Sequence, residues 1–235
     1  MLSFLTEYIL ITMKSKKTKK KQQNIIVFCA HSDDQILGPG GTLAKYAEEG
    51  KNIYTIIFSY GEASLPHYKR KIAVETRVNE AKKADEIIGG KGVFFFGLKE
   101  GKFAEEIKKK QILKKIKREL LEKRPEKIFT HSPEDAHPDH RAVLTAVLEA
   151  LDKSRLKADV YCFDVWNIWS FRKSSIPRLY IDVSNTINKK TEALRAFKSQ
   201  KAAIFPLYWN VTIKSLIRGM QLKNSKYAEM FFKIR

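Results

Sequence analysis

Two short clusters carry residues able to hold a metal and move protons. The first is Ala30-His31-Ser32-Asp33-Asp34-Gln35, one imidazole beside two carboxylates. Carboxylates this close repel unless a proton or a cation lies between them. Taken alone, the cluster equally suits a loop in which Asp33 or Asp34 caps a following helix. The second is His137-Pro138-Asp139-His140. Pro138 suits the first turn of a helix, and Asp139 suits the positive end of its dipole. Histidines three residues apart project near one helical face; taken alone, they also suit an exposed helix start. Two histidines and one carboxylate fit zinc, whose catalytic sites use three such ligands and keep a position open for water. That water becomes a nucleophile near neutral pH. Fe(II) accepts the same set, so the ligand types do not choose the metal.

The elements that must bring these clusters together alternate from residue 24 onward. NIIVFCA (24–30) is a continuous apolar run, as in a strand buried on both faces. Gly38, Gly40 and Gly41 follow, then a helical stretch to about Glu49 with Gly50 as its cap. IYTIIFS (53–59) reads as a second strand, 72–88 as a helix ended by Gly89-Gly90, and VFFFG (93–97) as a third strand. A single Lys-rich amphipathic helix is expected over 104–122, stopped by Pro125. KIFTH (127–131), a helix over 139–152 and DVYCFDV (159–165) continue the alternation. RLYIDV (178–183) reads as a further strand and 186–199 as a helix. The aromatic stretch 202–217 reads as a core helix, with contact to a membrane as the alternative. This order predicts an α/β, Rossmann-like three-layer sandwich with a mostly parallel sheet. Ligands of such sheets sit beyond the carboxyl ends of the strands. His31 follows the first strand, and His137 and His140 follow the fourth, so both clusters are expected on one rim.

A chain of 235 residues with 43% hydrophobic residues suits one packed domain rather than a disordered protein. The net charge of +19 is uneven. Lys14, Lys16, Lys17, Lys19, Lys20 and Lys21 form one run, leaving 19 − 6 = +13 elsewhere. Residues 1–22 therefore read as a solvated, disordered basic extension. Cys29 and Cys162 lie in apolar runs, which excludes a disulfide framework and fits a reducing, cytoplasmic setting. Residues 1–12 are apolar but interrupted by Glu7 and too short to span a bilayer. Their apolar stretch precedes the basic one, the reverse of a secretory signal, and Met13 offers an alternative start.

The motifs resemble those of the LmbE/PIG-L family of metal-dependent de-N-acetylases. The family's A-H-P-D-D-E stands here as residues 30–35, and its H-P-D-H as His137 to His140. Weaker matches are Ser59-Tyr60-Gly61-Glu62, Arg77 with Glu80-Ala81, Leu98-Lys99-Glu100-Gly101, Ser199-Gln200, Arg218-Gly219 and Tyr227-Ala228-Glu229. The resemblance spans about 24–231 and implies a deacetylase domain over 23–235. It implies that His31, Asp34 and His140 are the metal ligands, for Zn2+ or another divalent ion such as Fe2+. Asp33 would be the general base, His137 the group that steadies the oxyanion or protonates the leaving amine, and Asp139 a supporting carboxylate. Glu62, Arg77 and Glu100 are candidates for holding substrate. The implied reaction removes an N-acetyl group from an N-acetylglucosamine-type sugar or glycoconjugate.

Four positions depart from the family pattern. Ser32 replaces proline, Gln35 replaces glutamate, Glu100 replaces aspartate and Phe197 replaces histidine. Gln35 and Phe197 motivate a second reading, a catalytically reduced, metal-containing sugar-binding protein. The basic charge motivates a third, a nucleic-acid or membrane partner; nucleic acid is disfavoured, while peripheral membrane contact stays open. His67 and His131 read as structural histidines, and Trp166, Trp169 and Trp209 as packing residues. Oligomeric state is not encoded in these motifs.

Overall fold

A computed structural model describes residues 23–165 and 177–235; of residues 201–208 only the backbone is described. The basic extension 1–22, Trp166 and Trp169 lie outside the described residues. Strands β1 (Asn24–Cys29), β2 (Asn52–Ile57), β3 (Val93–Phe95), β4 (Lys127–His131) and β5 (Asp159–Phe163) pair in parallel. Two more strands, β6 (Arg178–Asp182) and β7 (Ala228–Lys233), extend the sheet antiparallel in the order β3-β2-β1-β4-β5-β7-β6. The expected mostly parallel α/β sandwich is thus the observed one.

Strand β1 shows why the sheet needs cover on both sides. Ile25, Val27 and Cys29 enter one core with α2 (Gly40–Glu48), α3 (Arg70–Ile88) and α7 (Ile187–Arg195). Ile26, Phe28 and Ala30 enter the other, with α4 (Phe103–Lys109), α5 (Ile112–Lys123) and α6 (Pro138–Ser154). A period of two along an all-apolar strand places alternate residues in opposite cores. A short helix, α1 (Asp34–Leu37), follows β1 directly, and α8 (Lys201–Gly219) precedes β7.

Three expectations change. The Lys-rich helix is two helices, α4 and α5, because Gln111 takes a left-handed conformation (φ 52°) and breaks the ladder. The helix expected over 186–199 ends at Arg195 and gives way to a 3-10 turn at Lys198–Gln200. Strand β7 was not anticipated at all; its AEMFFK segment is short and carries a charge, Glu229, that the fold buries. That charge has partners. Glu229 accepts the N–H groups of Gly41 (2.9 Å) and Thr42 (2.8 Å) at the start of α2, and its Oε1 meets Lys190 Nζ at 2.5 Å. Helix α2, the turn after β1 and the last strand are thereby fastened together. Among the described residues no helix is long and apolar enough to cross a membrane.

Candidate metal centre

The residue after β1 must turn sharply, and side chains close that turn. The backbone N–H of His31 donates to Asp34 Oδ2 at 2.8 Å, while the carbonyl of Asp33 accepts from Ile36 and Leu37. The carboxylate three residues on is therefore folded back over the strand end. Beside it, Gly61 has φ +79°, and a Cβ there would lie 2.5 Å from Ser32 Oγ and 3.0 Å from Arg77 Nε. Only glycine fits both the conformation and the space.

Helix α6 delivers the second cluster. His137 is its N-cap, with Nδ1 accepting the Asp139 N–H at 3.2 Å, and Pro138 fills the first turn. This leaves Nε2 as the remaining polar atom of His137. His140, one turn in, is fully buried. The two clusters meet: His140 Nε2 lies 3.2 Å from His31 Nδ1 and 3.7 Å from Asp34 Oδ2, and His31 Nδ1 lies 3.6 Å from that same oxygen. A tetrahedral zinc with bonds near 2.1 Å separates its ligand atoms by roughly 3.4 Å. The three atoms fit such an ion.

The described residues contain two overlapping groups of possible ligands: His31, His137 and His140, and Asp34, His131 and His140. Hydrogen bonding discriminates among them. His131 Nε2 accepts the Ala30 N–H at 2.9 Å, so its lone pair is already engaged, although it lies 3.3 Å from Asp34 Oδ2. Its ring stacks on His140 at 3.9 Å. His131, read from sequence as structural, sits at the centre of the cluster as a buried wall.

Electrostatics favour positive charge at this point. Burial would lower the pKa of His31, but the hydrogen bond and charge of Asp34, with the charges of Glu100 and Asp33, lift it to about 9. Burial would raise the Asp34 carboxyl, yet the neighbouring His140, with His31, holds it well below its ordinary range. Burial and the neighbouring His140 push His131 down to about 4, so it is neutral at pH 7. Burial, with the charges of His31 and His140, also lowers His137.

A further layer orients these groups. His140 Nδ1 lies 2.9 Å from Asp135 Oδ2, both residues being buried, and Asp135 Oδ1 accepts the His137 N–H at 2.9 Å. One carboxylate thus sets both histidines. Sequence reasoning missed Asp135; the signal was an acidic residue two positions before His137. Asp139 instead faces His31 Nε2 at 3.9 Å and accepts the N–H groups of Gly101 (2.6 Å) and Phe103 (3.4 Å). It secures the loop that carries Glu100, whose Oε1 accepts from Ser59 Oγ at 3.0 Å. Burial raises the Glu100 pKa.

Of the three residues considered for substrate, only Glu100 lies beside the cluster with a half-buried carboxylate. Arg77 is 2% exposed and lies beneath the site, Nη2 at 3.2 Å from Asp33 Oδ2 and Nη1 at 3.2 Å from Glu80 Oε2. Its guanidinium packs 5.4 Å from the Phe197 ring. Glu80 in turn accepts the Ser199 N–H (2.6 Å) and Oγ–H (2.7 Å). Arg77 is therefore a support for Asp33 rather than an open anion hook. Glu62 pairs with Arg70 at 2.8 Å on the loop after β2, and His67 is exposed. Gln35 is fully buried; its Nε2 donates to Ser32 O at 3.0 Å, and its Oε1 has no hydrogen-bond partner.

A doubly covered α/β sheet with a His/Asp cluster at the carboxyl ends of β1 and β4 defines an α/β protein whose rim carries groups able to hold a metal ion. Residues 26–151, more than half of the chain, match the PIG-L family of GlcNAc-PI de-N-acetylases, and the chain belongs to that family. It is 27% identical over 216 residues to a diacetylchitobiose deacetylase of Thermococcus kodakarensis, covering 85% of this chain and 78% of that one. It is 26% identical over 193 residues to a probable N-acetyl-alpha-D-glucosaminyl L-malate deacetylase 2 of Bacillus anthracis, covering 78% and 84%. Among solved structures, an N,N'-diacetylchitobiose deacetylase of Pyrococcus horikoshii has the same fold (TM-score 0.76, 16% identity, 99% of this chain and 93% of that one). So does a 4-carboxy-2-hydroxymuconate hydratase of Pseudomonas putida (TM-score 0.78, 22% identity, 91% and 97%). One fold thus carries two reactions, and the reaction must be argued from the site.

Proposed function

We propose that this protein is a zinc-dependent N-deacetylase that removes the acetyl group from an N-acetylglucosamine-type sugar or conjugate. The observation that carries this reading is the triangle of His31 Nδ1, Asp34 Oδ2 and His140 Nε2, with sides of 3.2, 3.6 and 3.7 Å, beside the Asp33 carboxylate. The deacetylases among its relatives support the choice of reaction. His31, Asp34 and His140 are assigned as ligands; Fe2+ would satisfy the same donors. When bound, a divalent ion supplies Lewis acidity to the acyl carbonyl and makes a nearby water more acidic.

The chain's own residues do the rest. Asp33, 18% exposed at its side chain and steadied by Arg77 Nη2, accepts the proton of the attacking water. His137, with Nδ1 committed to capping α6, offers its Nε2–H as a hydrogen bond to the developing oxyanion, and the proton taken up by Asp33 passes to the departing amine. Glu100 stands where a sugar hydroxyl would be held, and Asp139 keeps its loop in place. Arg77 acts on the reaction through Asp33.

The test is acetate release from a panel of N-acetylglucosamine conjugates by the zinc-loaded protein, with metal content measured in parallel. Asp33→Asn is expected to lose at least about 10²-fold in kcat while retaining metal, the usual scale for removing a general base. Undiminished turnover in that variant would remove Asp33 from its role. The unpartnered, buried Gln35 Oε1 favours one second reading, a sugar-binding protein with reduced turnover. Saturable binding of the same conjugates without acetate release under any divalent metal would decide for it.

A further inference from the structure

Helix α8 is amphipathic in reverse. Over the part whose side chains are described, from Trp209 to Gly219, every exposed residue is apolar: Trp209 (59%), Ile213 (52%), Leu216 (44%) and Ile217 (45%). Met220, just past the helix, is 79% exposed. Their spacing of three and four residues makes one stripe along one side. Of its described polar side chains, Thr212 lines a groove with Trp209, and the others turn the other way. Lys214, Ser215 and Arg218 line an inner cavity together with Asp164 and Lys190. A soluble surface helix has the opposite arrangement, and a contiguous apolar stripe of this kind marks a contact surface.

The charge around the stripe chooses the occupant. From Ala193 to Ala228 the chain has no Asp or Glu, and besides the inward Lys214 and Arg218 its basic residues include the exposed Arg195, Lys198, Lys223 and Lys226. Lys223 and Lys226 are exposed just beyond the stripe. Twofold pairing of this face with a second copy would bring two such basic surrounds together, in a protein already carrying +19. An anionic lipid surface complements both features at once: apolar side chains enter the acyl boundary, Trp209 suits the headgroup level, and lysines meet the lipid charge. No described helix is long and apolar enough to cross the bilayer, so the contact is a lateral one. We propose that the outward face of α8, Trp209 through Met220, docks the protein on an anionic membrane surface.

The experiment uses the full chain and extruded vesicles of phosphatidylcholine, with and without one-third phosphatidylglycerol. Co-sedimentation with the anionic vesicles is expected, weakened by salt and absent with phosphatidylcholine alone. The variant Ile213→Ser/Ile217→Ser/Met220→Ser keeps every lysine, including the run at 14–21, and changes only outward side chains. It is expected to bind the anionic vesicles at least about tenfold more weakly, as buried apolar area sets such partitioning. Equal binding by variant and parent would assign adsorption to the basic extension and overturn the proposal. So would a parent that ignores the vesicles and sediments as a dimer which the variant loses. Fluorescence quenching by brominated acyl chains gives a second reading that needs no apolar-to-polar change. Quenching present in the parent and diminished in Trp209→Phe supports docking through this face; quenching unchanged by Trp209→Phe overturns it.

Discussion

Replacing Asp135 with asparagine isolates the part of the site that orients the ligands. Asp135 accepts the His137 N–H on Oδ1 at 2.9 Å, and its Oδ2 lies 2.9 Å from His140 Nδ1 in a buried ion-pair contact that places that nitrogen as a second donor. Asparagine has one side-chain acceptor and a donating NH2, so one of those donors faces another donor. Leaving a buried donor unsatisfied costs about 1–3 kcal/mol. His140 can escape by moving its proton to Nε2, the atom that faces His31 and Asp34, and there the proton competes directly with a metal. Loss of a carboxylate behind a ligand histidine typically weakens metal binding by about 10–100-fold, about 1.4–2.8 kcal/mol, in agreement with the hydrogen-bond figure. The assay is a competitive Zn2+ titration of metal-free Asp135→Asn against a chromophoric chelator, with thermal melting in chelator as a fold check. Metal affinity within about threefold of the parent, in a variant that melts normally, would refute both the assignment of His140 as a ligand and the role of Asp135 behind it.

Removing Arg77 as Arg77→Met leaves Glu80 buried without its cation and Asp33 without its brace, so about 3–5 kcal/mol of stability and most of the turnover are expected to go. Adding Glu80→Gln should return part of the stability in denaturant titrations but not the turnover, and full activity in the single variant would sink the argument. Lys190→Met strips the cation from Glu229, which ties β7 to the start of α2; a loss of about 3–5 kcal/mol is expected, partly recovered by Glu229→Gln, and an unchanged unfolding midpoint would contradict it. Burial pushes the Asp85 carboxyl up to about 6 from 3.8, against the opposing hydrogen bonds of Thr55 and Gly92. Because the folded state then holds the proton more tightly, stability falls as pH rises through this window, by about 2 kcal/mol between pH 4 and 6 from this group. Asp85→Asn should flatten that fall, and identical pH profiles for parent and variant would show that Asp85 does not titrate there.

Much of this protein was legible before any coordinates. The apolar runs at 24–30 and 127–131, with a helical pattern after each, were sufficient to place His31 and His140 on one rim, because parallel strands present their carboxyl ends on the same side. Local spacing likewise announced His137 as the start of a helix. Periodicity carried those elements because each is decided by burial of its own residues. It failed where the deciding contact is distant. Strand β7 forms because a buried Glu229 finds Lys190 and the N–H groups of Gly41 and Thr42, more than 180 residues away in the case of α2. The break between α4 and α5 depends on one left-handed residue, Gln111, whose type does not demand it.

The site divides along the same line. Residue types and spacing pointed to a metal near His31-Ser32-Asp33-Asp34 and His137 to His140, and the family resemblance alone implied a base there. Tertiary structure decided which atoms face one another. It turned His131 from a bystander into a wall against His140, by committing its Nε2 to the Ala30 N–H. It also made Asp135 the carboxylate behind His140, and drew Arg77 away from solvent to hold Asp33. On the part of α8 whose side chains are described, from Trp209 onward, it departed from the expected core helix, sending Lys214 and Arg218 inward and Trp209, Ile213 and Ile217 out. A sequence records which side chains are apolar or charged; which face of a helix meets protein is settled only when all its neighbours are in place.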